Sequence, residues 1–524
     1  MTEVVVVGAG LAGLTAAVHL AESGARVTVL EAAEHLGGRL ATPEEASFVH
    51  RGESWAFPVE HGIHGYWRQY RNLRAMFERL GLAQRFLDSG SQELVLWLDE
   101  RGPRYLEIGD RVRQTRLPEP FSLLALLRDP VFLRHVLRAG GPRMLQVARD
   151  LGHVFAFDPA RDLSLYEAMT VGQLTRDWPE FLRGFFRALT HSGFFIDVDD
   201  TSLAALLTSL QFYTVCDRRD MGFDYLDTDT ATGVLRPLTE HIERLGGQVL
   251  VSSPASEVCF DGATARGVRL ADGKVLAADG VVVAVDPPGM ACLRKGALGL
   301  VVPEVQVPRG VRSFSARFWF TGRPAPQRST NGMYVGPGFD NYFWLHTISE
   351  PYRDWAEATG GSTIEVHLYG ARAEAAALRG DERVLAQALE AIERVWPGVE
   401  GSCVHAHLRR NAATHVAFHP GTYARLPQVR TTVPNLALAG DWIAGRFPTL
   451  YLERAVSTGQ QAAGVLAEAL GLSTVPQVLP PFAPAPGFRR ARRLARTLRE
   501  LGVLPDVAGR AGATRSTPGA RKAG

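Results

Sequence analysis

Cysteine is scarce in this sequence, and its spacing excludes several kinds of site. The four cysteines among 524 residues are Cys216, Cys259, Cys292 and Cys403. Because no two of them form a CxxC pair, we expect neither a zinc nor an iron–sulfur site, and the chain fits a reducing compartment. His61 and His64 have the i, i+3 spacing of a metal-binding pair, but no carboxylate or cysteine cluster completes a ligand set. The sequence therefore predicts no metal site.

Long apolar runs are also missing. Although 46% of the residues are hydrophobic, no uncharged apolar stretch reaches the roughly 18 to 20 residues that a membrane-spanning helix needs. An apolar strand begins as early as Val4, so we expect no signal peptide. No repeat at solenoid spacing is present. The length predicts about two to four domains around a large core, and we expect the chain in the cytoplasm.

The first forty residues do carry a clear pattern. An apolar run at Val4–Val7 precedes the turn Gly8-Ala9-Gly10-Leu11-Ala12-Gly13, a helix is expected over 14–23, and a second strand over 27–30 ends at Glu31. In such a GxGxxG turn the first glycine permits the tight turn, the second lets the backbone approach a pyrophosphate, and the third allows close helix packing. The pattern predicts a dinucleotide site, with a glycine-rich turn in an ordinary parallel sheet as the alternative.

Glu31 and the residues after it narrow the choice of dinucleotide. The Glu31 carboxylate can accept hydrogen bonds from a ribose hydroxyl and would repel a 2′-phosphate. Two glycines, Gly37 and Gly38, then return the chain towards the pyrophosphate, where Arg39 can neutralise it. The order of GxGxxG, Glu, GG and Arg resembles the FAD-dependent amine oxidase and carotenoid desaturase superfamily. The resemblance implies non-covalently bound FAD.

Later segments extend the resemblance. The stretch VEHGIHGYWRQYRNLRAMFERLG, which contains His61 and Gly62, is similar to ζ-carotene desaturases and aromatic-carotenoid ring synthases, in which it passes beside the flavin ring. A strand, DG hairpin and strand over 249–284 resemble the second part of the FAD domain. The resemblance assigns twenty residues to the cofactor site: Gly8, Ala9, Gly10, Leu11, Ala12, Gly13, Glu31, Ala32, Gly37, Gly38, Arg39, His61, Gly62, Val258, Gly440, Asp441, Glu453, Arg454, Ala455 and Val456.

The last block of the resemblance departs from it at one position. A short strand ends at Gly440-Asp441, and the aspartate is expected to hydrogen-bond the ribityl and pyrophosphate portion of FAD. A helix that opens near Leu452 is expected to point its positive N-terminal end at the flavin. Amine oxidases carry glycine after the glutamate of this helix, whereas this chain has Arg454 after Glu453, as aromatic-ring synthases do. The departure argues against a simple amine oxidase.

We therefore predict an α/β protein. A Rossmann-like FAD-binding domain is assembled from residues 1–90, 225–295 and 430–472, and an α+β substrate domain from residues 91–224 and 296–429. Residues 473–524 form a basic tail rich in proline, arginine and alanine.

Three further stretches leave alternatives open. Apolar residues over 121–137 alternate with arginines, so a helix there fits either an anionic membrane surface or the core. Aromatic residues over 181–195 suit a hydrocarbon tunnel but are core residues by default. The tail from 487 carries ten basic and two acidic residues, so it is either a lipid-binding amphipathic helix or a solvated, partly disordered tail. No recognition module accompanies it, so nucleic acid is not expected as a partner.

The resemblance implies an enzyme that desaturates an isoprenoid or carotenoid by hydride transfer to flavin N5. The alternatives are ring desaturation with a methyl shift, a squalene-type dehydroxylase, an amine oxidase, and a non-enzymatic flavin- or lipid-binding protein. Quinone or oxygen is the expected electron acceptor, and peripheral contact with the inner face of a membrane is an alternative to a purely cytoplasmic location. The sequence shows no Ser/His/Asp or paired-carboxylate arrangement, so no catalytic acid or base is named.

Overall fold

The computed structural model describes residues 1–82, 86–89, 94–99, 102–325, 329–473 and 477–505. Its strands are β1 (Glu3–Val7), β2 (Arg26–Leu30), β3 (Glu44–His50), β4 (Glu53–Val59), β5 (Tyr66–Trp67), β6 (Phe86–Asp88), β7 (Leu94–Asp99), β8 (Gly102–Glu107), β9 (Phe223–Leu226), β10 (Gln248–Leu250), β11 (Ala255–Asp261), β12 (Thr264–Leu270), β13 (Val275–Ala277), β14 (Gly280–Val283), β15 (Gly310–Phe320), β16 (Asn331–Val335), β17 (Asn341–Trp344), β18 (Ser362–Leu368), β19 (Cys403–Val416) and β20 (Leu436–Leu438).

Helices separate most of these strands. They are α1 (Leu11–Glu22), α2 (Arg71–Arg79), α3 (Gly109–Arg113), α4 (Pro130–Ala139), α5 (Gly141–Ala156), α6 (Leu163–Tyr166), α7 (Val171–Thr175), α8 (Glu180–Phe194), α9 (Leu203–Leu210), α10 (Arg236–Arg244), α11 (Pro287–Leu293), α12 (Ala297–Val301), α13 (Glu350–Thr359), α14 (Gly370–Ala377), α15 (Asp381–Val395), α16 (Tyr451–Leu470) and α17 (Pro486–Glu500).

A five-stranded parallel sheet in the order β10-β2-β1-β14-β20 forms the centre of the cofactor domain. Its strands come from three separated parts of the chain, since Val4 pairs with Gly280 and Val281 pairs with Leu436. The strands are short β-branched runs that are buried on both faces, which is typical of a parallel sheet covered by helices. Such a sheet brings the carboxyl ends of its strands to one edge, where α/β proteins bind ligands.

A second, seven-stranded sheet in the order β19-β15-β18-β17-β16-β7-β8 forms the substrate domain. It is antiparallel except where β16 runs parallel to β7. Its strands β15 and β18 are buried along most of their length, and α15 packs behind them through Ala388, Ile392 and Val395. The chain therefore has the mixed α/β architecture that the sequence predicts.

Most predicted elements lie where the sequence places them. The strands predicted at Val4–Val7 and 27–30 are β1 and β2, and the helix predicted over 14–23 is α1, which begins three residues earlier, at Leu11. The apolar stretch Phe121–Arg128 differs, because it forms a 3₁₀-helix before α4 begins at Pro130. No residue of α4 is fully buried, so α4 is a surface helix and not the core helix of the second alternative.

The start of the basic tail is an ordered helix. Helix α17 packs against α5 with Phe488 and Ala495 buried. Arg496 donates to Asp158 at 2.9 Å, and Arg499 pairs with Asp162 at 3.3 Å. Paired arginines and buried apolar residues exclude a solvated, disordered state for this part of the tail. Tail residues 474–476 and 506–524 lie outside the described residues.

Candidate cofactor and substrate site

A cavity of about 990 Å³ lies between the carboxyl edge of the parallel sheet and the seven-stranded sheet. Its volume lies at the upper end of the range for small-molecule sites. Fourteen of the twenty residues predicted for the cofactor line it: Gly8, Gly10, Leu11, Ala12, Glu31, Ala32, Gly37, Gly38, Arg39, His61, Gly62, Gly440, Asp441 and Ala455. The fold thus brings together residues that are more than 400 positions apart.

The first glycine turn forms one wall of the cavity. Gly8 has a φ of +101°, and a Cβ there would lie 2.5 Å from the Ala284 carbonyl oxygen. A Cβ on Gly13 would lie 1.9 Å from the Gly8 carbonyl oxygen, so this glycine allows α1 to begin close to β1. A Cβ on Gly10 would meet only the Gly37 carbonyl oxygen, at 3.9 Å, and would otherwise point into open space. The helix N-terminus behind Gly10 has no side-chain cap, so its N–H groups remain available to a phosphate.

The second glycine pair lies directly beside the first turn. The Gly37 amide donates to the Ala9 carbonyl at 3.0 Å, and Gly37 adopts a left-handed φ of 108°. Glu31 directly follows β2 at the same edge, where its carboxylate accepts hydrogen bonds from the amides of Ala9 and Ala33 at 2.9 and 3.0 Å. These bonds fix the carboxylate at the rim, where a ribose would lie.

Arg39 and Asp441 join the two ends of the chain across the cavity. The closest distance between the guanidinium nitrogen and the carboxylate oxygen is 2.5 Å. Burial raises the pKa of Asp441, but the Arg39 guanidinium lowers it more, so the net pKa lies below its usual value. Asp441 is therefore ionised at neutral pH and holds Arg39 at the cavity wall.

Helix α16 contributes less of its first turn to the cavity than the sequence predicts. Tyr451, Leu452 and Ala455 line the cavity. Glu453 faces α2, where its carboxylate accepts the amides of Asn72 and Leu73 at 2.9 and 3.1 Å and caps that helix.

Arg454 is buried on another side of α16. Its Nε donates to the Thr449 carbonyl at 2.6 Å, and its Nη2 donates to the Tyr423 hydroxyl at 3.2 Å. It therefore fixes the loop before α16 and does not line the cavity.

The four other predicted residues outside the lining are Ala9, Gly13, Val258 and Val456. Val258 is buried in β11, and the cavity is lined instead by Pro254 and Ala255 at the start of that strand. Val456 is buried in α16.

The imidazoles of His61, His64 and His415 are among the residues that line the cavity. Burial lowers the pKa of His61 well below its usual value, that of His64 to about 4, and that of His415 to about 3. All three are therefore neutral at pH 7. The Nδ1 atom of His64 and the Nε2 atom of His415 are buried without a hydrogen-bond partner among the described residues, so each can contact a polar ligand.

These features fit FAD. The open space at Gly10, the uncapped start of α1, the Arg39 guanidinium and the two buried imidazole nitrogens suit a long anionic ligand with polar groups along its length. Within the described residues, no group of three or more metal-ligating side chains lies together. His405 stacks on Phe48 with ring centroids 4.4 Å apart, and His407 pairs with Glu44 at 3.1 Å.

The remaining part of the cavity is aromatic and apolar. Its lining includes Trp67, Tyr70, Tyr213, Phe223 and Phe343. Of the aromatic residues over 181–195, Phe194 and Phe195 reach the cavity, whereas Phe186 packs on Trp178 at 5.0 Å. Phe186 thus fits the core alternative, and the hydrocarbon tunnel stays a prediction for the last two aromatics of this stretch.

Sequence reasoning missed the polar residues that the seven-stranded sheet places in the cavity. They include Asn341, His367, Tyr369, Arg409 and Asn411. One signal was available, because Glu365, His367 and Tyr369 alternate with the apolar residues Ile364, Val366 and Leu368, and alternate residues share one face. Without the sheet order, nothing in the sequence indicates that this face meets the cofactor domain.

The family model of flavin-containing amine oxidoreductases matches residues 11–467. The chain belongs to this family. It is similar to carotenoid phi-ring synthases of Chlorobaculum tepidum, at 23% identity over 91% of this chain and 90% of the relative, and of Streptomyces griseus, at 27% over 96% and 93%. It is also similar to the 15-cis-phytoene desaturase of Synechococcus elongatus, at 23% over 88% and 94%.

Solved structures show the same fold. Cyclohexylamine oxidase from Brevibacterium oxydans has a TM-score of 0.62 at 17% identity, with 90% of this chain and 99% of that chain covered. The protein is an FAD-dependent oxidoreductase, and the prediction of family, fold and cofactor is confirmed.

Proposed function

We propose that this enzyme removes hydrogen from an apolar isoprenoid of the carotenoid class and forms a carbon–carbon double bond. The observation that carries the proposal is the aromatic part of the cavity, which belongs to the same cavity as the glycines Gly8, Gly10, Gly37 and Gly38. Aromatic side chains bind a polyene through large apolar contact areas. The named activities of the phi-ring synthases and the phytoene desaturase support the same substrate class.

When bound, FAD supplies the hydride acceptor. The turn from Gly8 to Gly13 and Arg39 would hold its pyrophosphate, Glu31 its ribose, and the start of α16 its flavin end. The remaining contribution of the chain is to align the polyene. The aromatic residues hold the reacting carbons in one orientation and exclude water, which converts an encounter between two molecules into a reaction within one complex.

A second candidate is desaturation of a carotenoid end ring with a methyl shift. Two observations favour it: two of the relatives are phi-ring synthases, and Arg454 replaces the glycine of amine oxidases. Both candidates need the same cofactor and the same apolar site, so the product distinguishes them.

We also propose that the enzyme takes its substrate from an anionic membrane. Within the described residues, no helix has the length and apolarity to cross a bilayer. A surface patch around α4 exposes large apolar residues, with Phe121 57%, Leu137 71% and Leu145 64% exposed. Exposed arginines, Arg134 and Arg138, lie beside them on α4. An apolar face edged by cations suits the headgroup layer of an anionic bilayer.

Vesicle sedimentation tests the membrane proposal. We expect binding to phosphatidylglycerol vesicles, weaker binding to phosphatidylcholine vesicles, and loss of binding in Leu137→Ser combined with Phe121→Ser. Leu378→Ser is the matched control, because Leu378 is 90% exposed on α14's far end, outside this patch. Equal binding by the patch variant and the control would contradict the proposal.

The electron acceptor is proposed to be a quinone or oxygen. Either can reoxidise a reduced flavin, and a quinone would share the membrane with the substrate. Reoxidation rates of the reduced enzyme, measured separately with a short-chain quinone and with air-saturated buffer, distinguish the two. If neither restores the oxidised spectrum during turnover, this proposal is wrong.

Anaerobic mixing tests the proposed reaction. The purified full chain with its bound FAD is mixed with carotenoid precursors in liposomes, and the flavin absorbance and the products are followed. We expect bleaching of the flavin and a product with one more double bond, or an aromatic end ring for the second candidate. A Gly10→Val variant without FAD is the control. If an amine reduces the flavin and no polyene does, the enzyme is an amine oxidase, and the proposal fails.

A further inference from the structure

Three side chains form a hydrogen-bonded chain from the interior of β18 to the cavity. The Nε2 atom of His367 lies 2.6 Å from the Glu365 carboxylate, and its Nδ1 atom lies 2.5 Å from the Tyr369 hydroxyl. Glu365 is fully buried, while His367 and Tyr369 are about 5% exposed and line the cavity. The chain therefore leads from a buried charge to a hydroxyl at the cavity wall.

The direction of these hydrogen bonds follows from the donors and acceptors. An ionised carboxylate only accepts, so His367 carries its proton on Nε2 and donates it to Glu365. Its Nδ1 atom is then an acceptor, and the Tyr369 hydroxyl donates to it. The hydroxyl oxygen keeps two lone pairs, of which one can accept the Asn341 amide at 3.4 Å. The other is available to a group in the cavity.

The buried carboxylate is held in its ionised form. Burial raises the pKa of Glu365, but the buried Arg317 guanidinium and the hydrogen bond from His367 bring it down to about 2. Arg317 pairs with one carboxylate oxygen, while the other accepts His367 and the Ile63 amide at 3.1 Å. Glu365 can therefore stabilise a positive charge that forms on His367, as carboxylates do for catalytic imidazoles.

The hydrogen-bonded side chains of Glu365, His367 and Tyr369 lie beside Gly62, in the segment that the resemblance places next to the flavin ring. A Cβ on Gly62 would lie 3.2 Å from both Cε1 and Nε2 of His367. The Tyr369 ring is fixed by a stacked contact with Phe195, with centroids 4.0 Å apart, and by its amide, which donates to Asp340 at 2.8 Å. The hydroxyl thus has a fixed position near the predicted cofactor.

We propose that Tyr369 is the proton acceptor of the dehydrogenation, with His367 and Glu365 as its positioning residues. The inference rests on the proposed function. The substrate loses two hydrogens: FAD, when bound, would accept one with its electron pair as hydride, and the neighbouring hydrogen leaves as a proton to the Tyr369 oxygen. The electron pair of the second C–H bond becomes the new double bond. The Tyr369 proton moves to His367 Nδ1, and the imidazolium forms beside the Glu365 carboxylate.

Several charged or titratable groups surround the proposed proton transfer. The titratable or charged groups that face this chain are Glu365 and Tyr369 near it on the same strand, Arg317 on β15, Glu60 and His64 on the segment before β5, and Asp340 before β17. His367 is the group whose Nδ1 atom contacts the Tyr369 hydroxyl and can accept its proton.

Two variants test the role of the chain in single-turnover flavin reduction by a polyene. Tyr369→Phe removes the acceptor, and we expect the reduction rate to fall by about 10² to 10³, the size of a general-base effect. His367→Gln can keep both hydrogen bonds but cannot take a proton, so we expect a similar fall in the reduction rate. Tyr342→Phe is the matched control, because Tyr342 is equally buried on β17 but outside the cavity lining. Wild-type rates in both variants would overturn the proposal.

A measurement without turnover separates this proposal from the proposed function. In protein labelled with ¹⁵N-histidine, we expect the His367 signals of a neutral ring protonated on Nε2, and a shift of Nδ1 in Tyr369→Phe. If these signals appear but no polyene reduces the wild-type flavin, the proposed function fails while the hydrogen-bond chain stands. If His367 is protonated on Nδ1 at neutral pH, the proton acceptor assignment is wrong whatever the substrate is.

Discussion

Arg39 and Asp441 lie 402 positions apart in the sequence and form an ion pair at 2.5 Å in the wall of the cofactor cavity. Asp441 is buried, whereas the Arg39 side chain is 28% exposed. The pair links the glycine pair after β2 to the turn after β20. Its geometry lets the guanidinium stay near a pyrophosphate without leaving a lone buried charge.

Removing only the cation should destabilise the protein. Arg39→Leu leaves the Asp441 carboxylate buried without its partner, which costs about 3 kcal/mol, the lower end of the range for broken buried pairs. Arg39→Leu with Asp441→Asn should recover part of this loss. Urea unfolding of the FAD-free variants measures both. Additive losses in the double variant would contradict the coupling between the two residues.

Gly10 and Gly13 should fail in different ways when substituted. Gly10→Val points its side chain into open cavity space, so we expect normal unfolding of the FAD-free protein and an FAD dissociation constant at least about 10-fold higher. Gly13→Ala places a Cβ 1.9 Å from a backbone oxygen, so we expect a loss of about 1 to 3 kcal/mol in stability. Thermal unfolding and flavin fluorescence titration report the two effects. Equal FAD affinity in Gly10→Val and wild type would contradict the proposed binding of the pyrophosphate at the turn from Gly8 to Gly13.

Glu453 should prove to be structural. Its carboxylate accepts amides at the start of α2, so Glu453→Gln, which keeps one acceptor oxygen, should lower the free energy of unfolding by about 1 to 3 kcal/mol. Glu468→Gln on the same helix is the control, because Glu468 is exposed and its ion pair with Arg430 should contribute less than about 1 kcal/mol. Denaturant unfolding of the two variants makes the comparison, and similar losses would show that the cap has no special role.

Because of His191, we expect the free energy of unfolding to fall as the pH becomes alkaline. Burial lowers the pKa of His191, but hydrogen bonds to Asp197 and Asp340 raise it more, to about 9. Because the folded pKa is raised, the stabilisation is fully present below the unfolded pKa of about 6.5 and is lost as pH rises through about 9. His191→Gln should flatten the pH profile of stability in this window. If the wild-type and variant profiles are parallel from pH 6 to 10, the charged imidazole does not contribute.

The cofactor half of the site was predictable because its signals are local. The tight turn at Gly8, the acid at the end of β2 and the returning Gly37 lie within forty residues, and each has a physical reason that can be read without a partner. Asp441 needed the family resemblance, because its partner Arg39 comes from the other end of the chain. The side chain of Glu453 could not be placed, since a helix position alone does not tell which neighbour it caps.

The substrate half was much less predictable. Glu365, His367 and Tyr369 alternate on a strand that reads as ordinary sheet, and only the pairing of β18 with β15 and β17 directs their face to the cavity. The sequence also left open whether α17 binds a lipid surface, because the residues that face it come from a distant part of the chain. Its arginines suit a lipid surface equally well until Asp158 and Asp162 are found opposite them.

The three-part origin of the parallel sheet has a consequence during synthesis. Strand β1 pairs with β14, with Val4 opposite Gly280. Because β14 comes much later in the sequence, it is still untranslated when β1 and β2 leave the ribosome. At a synthesis rate of about 5 to 20 residues per second, the nascent chain exposes an open strand edge for tens of seconds. Only the last segment, with β20 and α16, completes the parallel sheet and the cavity, so we expect the cavity to form after nearly the whole chain has been translated.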